Sequence, residues 1–316
     1  MNIKDYSEVA VDNSMHVGNE IDIKDLVSVI WRRKLIISLV TFIFALAAVF
    51  FALSLPNVYK SEVLVAPVSD NGGMKIPGQL GGLAALAGVN LGSLGDGDRT
   101  ALAIEILKSR DFIAKFIERH NLLLPLMAAD SWNRQDNTLN YDDGIYDTST
   151  NEWVRVVKEP YKPKPSMLEA HEAFLKIFSV NQDKLTGMVK MSLMHVSPYI
   201  AKEWLILLTN DINQELKQRD ITEAENSIAY LNKQIDQTNI ADVRTTLYSL
   251  IEDQIKTLML ANVRDEYVFK VIDPAIAPEK KAKPRRALIV IFAALLGGCF
   301  SSIFFIISHI YRRDRH

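Results

Sequence analysis

The residues able to do chemistry in this chain are few and scattered. The six histidines, His16, His120, His171, His195, His309 and His316, stand far apart. His171-Glu172 opens no zinc signature, because Leu175 rather than a second histidine follows four residues later. The one cysteine, Cys299, has no second thiol with which to form a disulfide or a metal site. No Gly-x-x-x-x-Gly-Lys loop is present to cradle a nucleotide phosphate. Tyr141-Asp142-Asp143-Gly144 is acidic and turn-like, but lacks the alternating ligand spacing of a calcium loop. Carboxylate pairs occur on charged helical stretches, and nothing marks one as an acid–base couple. The expectation is a protein without catalytic, cofactor or metal site, and therefore not an enzyme.

The charges that do cluster flank two apolar runs, Leu35–Leu55 and Ala287–Ile307, neither of which contains a charged side chain. At about 1.5 Å of rise per residue, each run is long enough to cross a hydrocarbon core about 30 Å thick as a helix. A helix satisfies its own backbone hydrogen bonds there. The first run begins too far from the N-terminus and is too long for a cleavable signal, and Pro56-Asn57-Val58-Tyr59-Lys60 offers no small-residue cleavage site. Trp31-Arg32-Arg33-Lys34 precedes the first run and Tyr311-Arg312-Arg313-Asp314-Arg315 follows the second. Basic residues in short flanks stay cytoplasmic, which predicts that both ends point inward. Lys280, Lys281, Lys283, Arg285 and Arg286 crowd the outer side of the second run. A loop this long is translocated largely regardless of charge, so these cations are read as contacts for headgroups or an acidic ligand.

The resulting layout is a cytoplasmic tail with an amphipathic lead-in at 1–34, a span at 35–55, an exported α+β domain at 56–286, a span at 287–307 and a second tail at 308–316. Ile21, Leu26, Val27, Ile30 and Trp31 share one helical face in the lead-in. The net charge of −2 points to no class of partner. The basic clusters are all beside the spans, so no nucleic-acid footprint is visible.

Within the exported domain, Tyr59–Pro67 reads as a first strand. A Gly-rich apolar segment occupies Gly78–Gly88, and Arg99–His120 has helical periodicity. Residues 130–165 read as an irregular loop, with Trp132 and Trp153 available as docking groups. Met167–Phe178 is predicted helical. Phe178–Val180 and Gly187–Val196 are predicted to pair as a hairpin, with Val189, Met191 and Leu193 on one face. Pro198 then opens a long helix, about 197–239, and a second covers Asp242–Arg264. Ile200, Trp204, Leu207, Leu208 and Ile212 mark a buried face on the first. Ile221, Ala224, Ile228, Leu231 and Ile235 form a narrow seam between charges. The seam fits either a coiled-coil hairpin with the second helix or a contact between subunits, and Ile221, Ile228, Leu231 and Ile235 are candidates for the latter.

The second apolar run carries two small-residue stripes at i, i+4, i+8: Ala293, Gly297, Ser301 and Ala294, Gly298, Ser302. Such stripes let membrane helices approach closely. Their partner is the first run, through Ala45, Ala48 and Ala52, or another subunit, or a different membrane protein.

Several segments resemble one family. Ile21-Asp22-Ile23-Lys24-Asp25-Leu26 through Trp31-Arg32-Arg33-Lys34 looks like the N-terminal approach of bacterial polysaccharide co-polymerases, the Wzz-type chain-length determinants. Gly78–Gly88 resembles their Gly/Leu/Ala-rich loop. Residues Val243–Gln254 and Leu258–Ala261 resemble the helix after their long one. Val271-Ile272-Asp273-Pro274-Ala275, with Pro278 and Lys283-Pro284-Arg285-Arg286, looks like their Pro-rich approach to the second span, a candidate functional segment. One departure is Ala282-Lys283-Pro284, which stands where the family has a Ser-Pro-Lys run. The resemblance implies an inner-membrane protein with two spans and a periplasmic domain made of a membrane-proximal base and a long protruding helix. It implies a ring of identical subunits, an octamer, that sets the modal length of a polysaccharide such as lipopolysaccharide O-antigen. The implied partners are other copies of the chain, a separate integral-membrane polymerase and the lipid-linked polysaccharide. Tyrosine-kinase relatives add a nucleotide-binding domain after the second span, which the sequence up to His316 does not carry. The rival expectations are a polysaccharide export adaptor and a membrane-anchored sensor ectodomain.

Overall fold

The computed structural model describes residues 31, 33–68 and 96–313. The amphipathic lead-in up to Ile30 and the Gly78–Gly88 segment lie outside the described residues. The chain divides into two compact units. One holds the residues up to Leu55 and from Arg285 onward, and the other is Pro56–Pro284.

In the first unit, helix α1 covers Lys34–Ser54. It pairs with a helix at the other end of the chain, Arg286–Arg313. Both are long and apolar enough to cross a membrane. Their outward residues are bulky and exposed, for example Phe42, Phe50, Phe292 and Phe304. Ala48 and Ala52 are buried where the helices meet.

The second unit is α+β. Strand β1 (Tyr59–Pro67) is followed by α2 (Asp96–Lys108), α3 (Arg110–Arg119) and α4 (Leu123–Met127). The periodicity of Arg99–His120 predicts one helix, but Ser109 divides it. Ser109 is extended, and its hydroxyl accepts from the Phe112 N–H at 3.3 Å, capping α3. The stretch expected as an irregular loop contains two small hairpins, β2 (Ala129–Asn133) with β3 (Thr138–Tyr141), and β4 (Tyr146–Asp147) with β5 (Glu152–Trp153). Asn137 and Asn151 take positive φ of 52° and 57°, as residues in tight turns do. Helix α5 (Met167–Ile177) begins with a capping box between Ser166 and Glu169.

Strands β6 (Phe178–Gln182), β7 (Val189–His195) and β8 (Phe269–Asp273) complete an antiparallel sheet of order β6-β7-β1-β8. The 40-residue helix α6 (Pro198–Gln237), about 60 Å long at 1.5 Å per residue, packs its first half on β1 and β7. There Trp204, Leu205, Leu208, Ile212 and Leu216 meet Val63, Val65, Met191 and Leu193 in one buried cluster. The far half of α6 pairs with α7 (Ala241–Val263). The chain returns through β8 to its starting point. The Val58 N–H donates to the Lys283 carbonyl at 3.0 Å, and the Ala282 N–H donates to the Val58 carbonyl at 2.8 Å. The C-terminal helix Arg286–Arg313 is α8.

Candidate functional site

The small-residue stripes of α8 face α1 to different degrees. Gly297 and Ser301 are buried, whereas Ala293, Ala294, Gly298 and Ser302 are half-buried. A methyl group added at Gly297 would stand 2.9 Å from Phe44 Cβ, a closer approach than carbon atoms tolerate. At Gly298 the nearest atom is Thr41 Oγ1 at 3.6 Å, an ordinary contact. The hydroxyls of Ser301 and Ser302 donate back to the Gly298 carbonyl, at 3.0 and 2.8 Å, so both are satisfied inside their own helix. The close approach is therefore centred on Gly297.

On the hairpin of α6 and α7, Ala224 and Ile235 are buried and Ile228 and Leu231 half-buried. Ile221 packs on the main core. The seam therefore has cover within a single chain. The apolar residues left exposed lie mainly on α7: Tyr248, Ile255, Met259 and Val263, spaced so that they share a face.

The Pro-rich segment divides between the two units. Pro278, Lys283 and Pro284 belong to the α+β unit, and Arg285 and Arg286 to the helical pair. There Arg286 Nη2 donates to the Leu55 carbonyl at 3.3 Å. In the α+β unit the Ser61 hydroxyl donates to the Ile276 carbonyl at 2.7 Å and holds the returning chain beside β1. This places Ala277, Pro278 and Glu279 along one wall of a cleft of about 110 Å³. Tyr59, Trp132, Arg134, Pro198 and Tyr199 form the rest. The Trp132 ring lies between two tyrosines, 5.8 Å from Tyr59 at 82° and 5.9 Å from Tyr199 at 57°. Its Nε1 donates to Asn137 Oδ1 at 2.9 Å, which fixes the ring at the tip of the β2–β3 hairpin. Trp132 and Pro278 are the members that sequence reading singles out. Tyr59, Arg134, Tyr199 and Glu279 lie far apart in the chain and carry no local signal.

The polar clusters elsewhere in the unit are paired within the fold. Asp211 accepts from Arg119 Nη1 and lies against His120 Nε2, both at 3.0 Å. Tyr267 donates to Asp220 at 2.7 Å beneath the Arg99 guanidinium, and burial pushes its phenol up to about 12. His195 is held neutral, because burial lowers its pKa while Nε2 donates to the Pro125 carbonyl and Nδ1 accepts from the Ser197 N–H. No group of three or more potential metal ligands occurs among the described residues.

Residues 19–120 match the Wzz family, Chain length determinant protein. Residues 233–310 match GNVR, a G-rich domain described on tyrosine kinases. No curated protein matches the chain by sequence. Among solved structures, a full-length bacterial polysaccharide co-polymerase aligns over 93% of this chain and 99% of its own, with 14% identity and a TM-score of 0.39. A fragment of WzzB, a polysaccharide co-polymerase from Salmonella Typhimurium, aligns over 72% of this chain and all of its own, with 10% identity and a TM-score of 0.28. The two sequence domains cover the lead-in, the Gly-rich segment, the helix after α6 and the Pro-rich approach, the segments on which the resemblance rests. Over residues 19–120 the chain matches the Wzz chain-length determinants, and regulation of polysaccharide chain length is the function that this match supports.

Proposed function

We propose that this chain sets the modal length of a lipid-linked polysaccharide, lipopolysaccharide O-antigen, as a ring of identical subunits working with a separate integral-membrane polymerase. Helices α1 and α8 span the inner membrane with both termini cytoplasmic, and the α+β unit Pro56–Pro284 is periplasmic. Lys34 lies 5.2 Å over the Trp31 ring at the head of α1, an aromatic and basic pairing suited to a headgroup layer. The protein regulates and does not catalyse. Its titratable clusters are engaged in packing, so length is imposed through binding and assembly.

The observation that carries this reading is the pair of family domains at the two ends of one α+β unit, each reaching into a helix able to span a membrane. Polysaccharide ladders from a deletion strain test it. Loss of the modal band, restored by the gene in trans, supports length control. Accumulation of full-length polymer at the inner membrane would mean an export adaptor instead, and an unchanged ladder would mean a sensor.

A further inference from the structure

We propose that the cleft walled by Tyr59, Trp132 and Tyr199 is a glycan-binding notch that takes one sugar ring of the growing polysaccharide. This assigns a site to the function proposed above and rests on that reading for the identity of the glycan.

The argument starts from the walls. Three aromatic rings converge from elements distant in sequence: the start of β1, the β2–β3 hairpin and the first turn of α6. Tyr199 is 52% exposed and Trp132 half-buried, although three rings so close could have buried one another. An aromatic face carries partial negative charge. A pyranose ring offers it a face of polarised C–H bonds, with hydroxyls around the rim. Arg134 and Glu279 stand at the same cleft, and neither has a hydrogen-bond or ion-pair partner among the described residues. A guanidinium only donates and a carboxylate only accepts, so together they serve both capacities of a sugar hydroxyl. A phosphate would meet repulsion from Glu279, and an apolar lipid chain would leave both charges unpaired.

Size decides between a whole ligand and part of one. At about 110 Å³ the cleft is far below the roughly 300 Å³ at which drug-sized ligands become enclosed. It grips one ring of a longer chain that continues past it. Weak, repeatable grip on successive sugars suits a protein that must let polymer advance.

The test uses the full chain in lipid nanodiscs. The probe is polysaccharide released by mild acid from the producing cells and labelled with fluorescein, and binding is read by fluorescence anisotropy. Tyr199→Ala, on an exposed ring, and Arg134→Gln should each weaken binding roughly fivefold, and Trp132→Ala at least as much. Trp153→Phe, in the separate β4–β5 hairpin, should bind like wild type. No binding by wild type, or equal binding by Tyr199→Ala and Arg134→Gln, overturns the proposal. A changed particle mass by light scattering with unchanged affinity also overturns it and makes the cleft a subunit contact. If deletion disturbs the ladder in cells while Tyr199→Ala leaves both ladder and binding intact, length control stands and the notch falls. If deletion leaves the ladder unchanged, length control falls, and the anisotropy still judges the notch.

Discussion

One buried amide ties the returning strand to the long helix. Asn213 Nδ2 donates to the Phe269 carbonyl at 3.0 Å, and its Oδ1 accepts from the Val268 and Phe269 N–H groups, both at 2.9 Å. Phe269 turns its backbone groups away from β1, on the open edge of the sheet, and Asn213 supplies the partners that no further strand provides there. Asn213→Leu should therefore destabilise the α+β unit by about 3 kcal/mol, since it strands buried backbone groups. An unchanged melting midpoint in the full chain would show that water satisfies them. Acid should weaken the same unit in two stages. Burial holds the His195 pKa below its ordinary 6.5, so the unfolded state takes up a proton first as pH falls below 6.5, and stability drops until the folded pKa is passed. Glu169 is depressed below its ordinary 4.5, chiefly by its hydrogen bond to Arg155 and also by its place in the α5 cap. Its contribution is complete above 4.5 and is lost as pH falls through its folded pKa. Glu169→Gln should cost about 1 kcal/mol at neutral pH, and the gap to wild type should close in strong acid. His195→Gln, which keeps a donor for Pro125, should remove the upper stage alone. A single transition that both variants leave unmoved would assign the acid sensitivity to other groups.

At the scale of elements, the two glycines of α8 are not equivalent, although the sequence presents them alike. Gly297→Ala forces its methyl group against Phe44 and should weaken the α1–α8 pair by about 1–3 kcal/mol, whereas Gly298→Ala has ordinary room beside Thr41. Thermal unfolding in detergent and the amount of protein held in the membrane should both fall for the first variant only. Equal behaviour would mean that the glycines do not mark the helix contact. Regular elements were legible wherever one period ran unbroken. Apolar spacing and Pro198 mark α6, and alternation marks β1 and β7. The break at Ser109 was not legible, because a cap depends on one serine adopting an extended backbone within an apolar helical rhythm. The β2–β3 and β4–β5 hairpins were hidden for a different reason. Their strands are short and polar, and they are held by asparagine turns rather than by a buried face.

At the scale of the whole molecule, the order of the main helices and strands and the two apolar ends were readable because each is encoded locally. The aromatic cleft was not, since its walls meet only after α6 has packed on the sheet and the chain has returned beside β1. The proposed subunit contact shows the same limit. Sequence marks Ile228 and Leu231 as a seam without saying what covers it, and the structure covers it with α7 in the same chain. In the ring proposed above, that leaves the exposed stripe Tyr248, Ile255, Met259 and Val263 for a neighbour, with Met259 63% exposed. An apolar stripe on a charged hairpin gains most by meeting a second copy of itself or of the adjoining helix. Met259→Asp should then lower the mass of the full-length assembly in detergent by light scattering, and leave helicity and melting of the hairpin nearly unchanged, since the new carboxylate stays in water until a subunit docks. Leu231→Asp should do the reverse first. It places a charge under α7, which is costly unless paired, so the hairpin should lose stability before any loss of assembly is seen. If Met259→Asp assembles normally while Leu231→Asp dissociates into well-folded subunits, the seam on α6 faces the neighbour and the stripe on α7 does not.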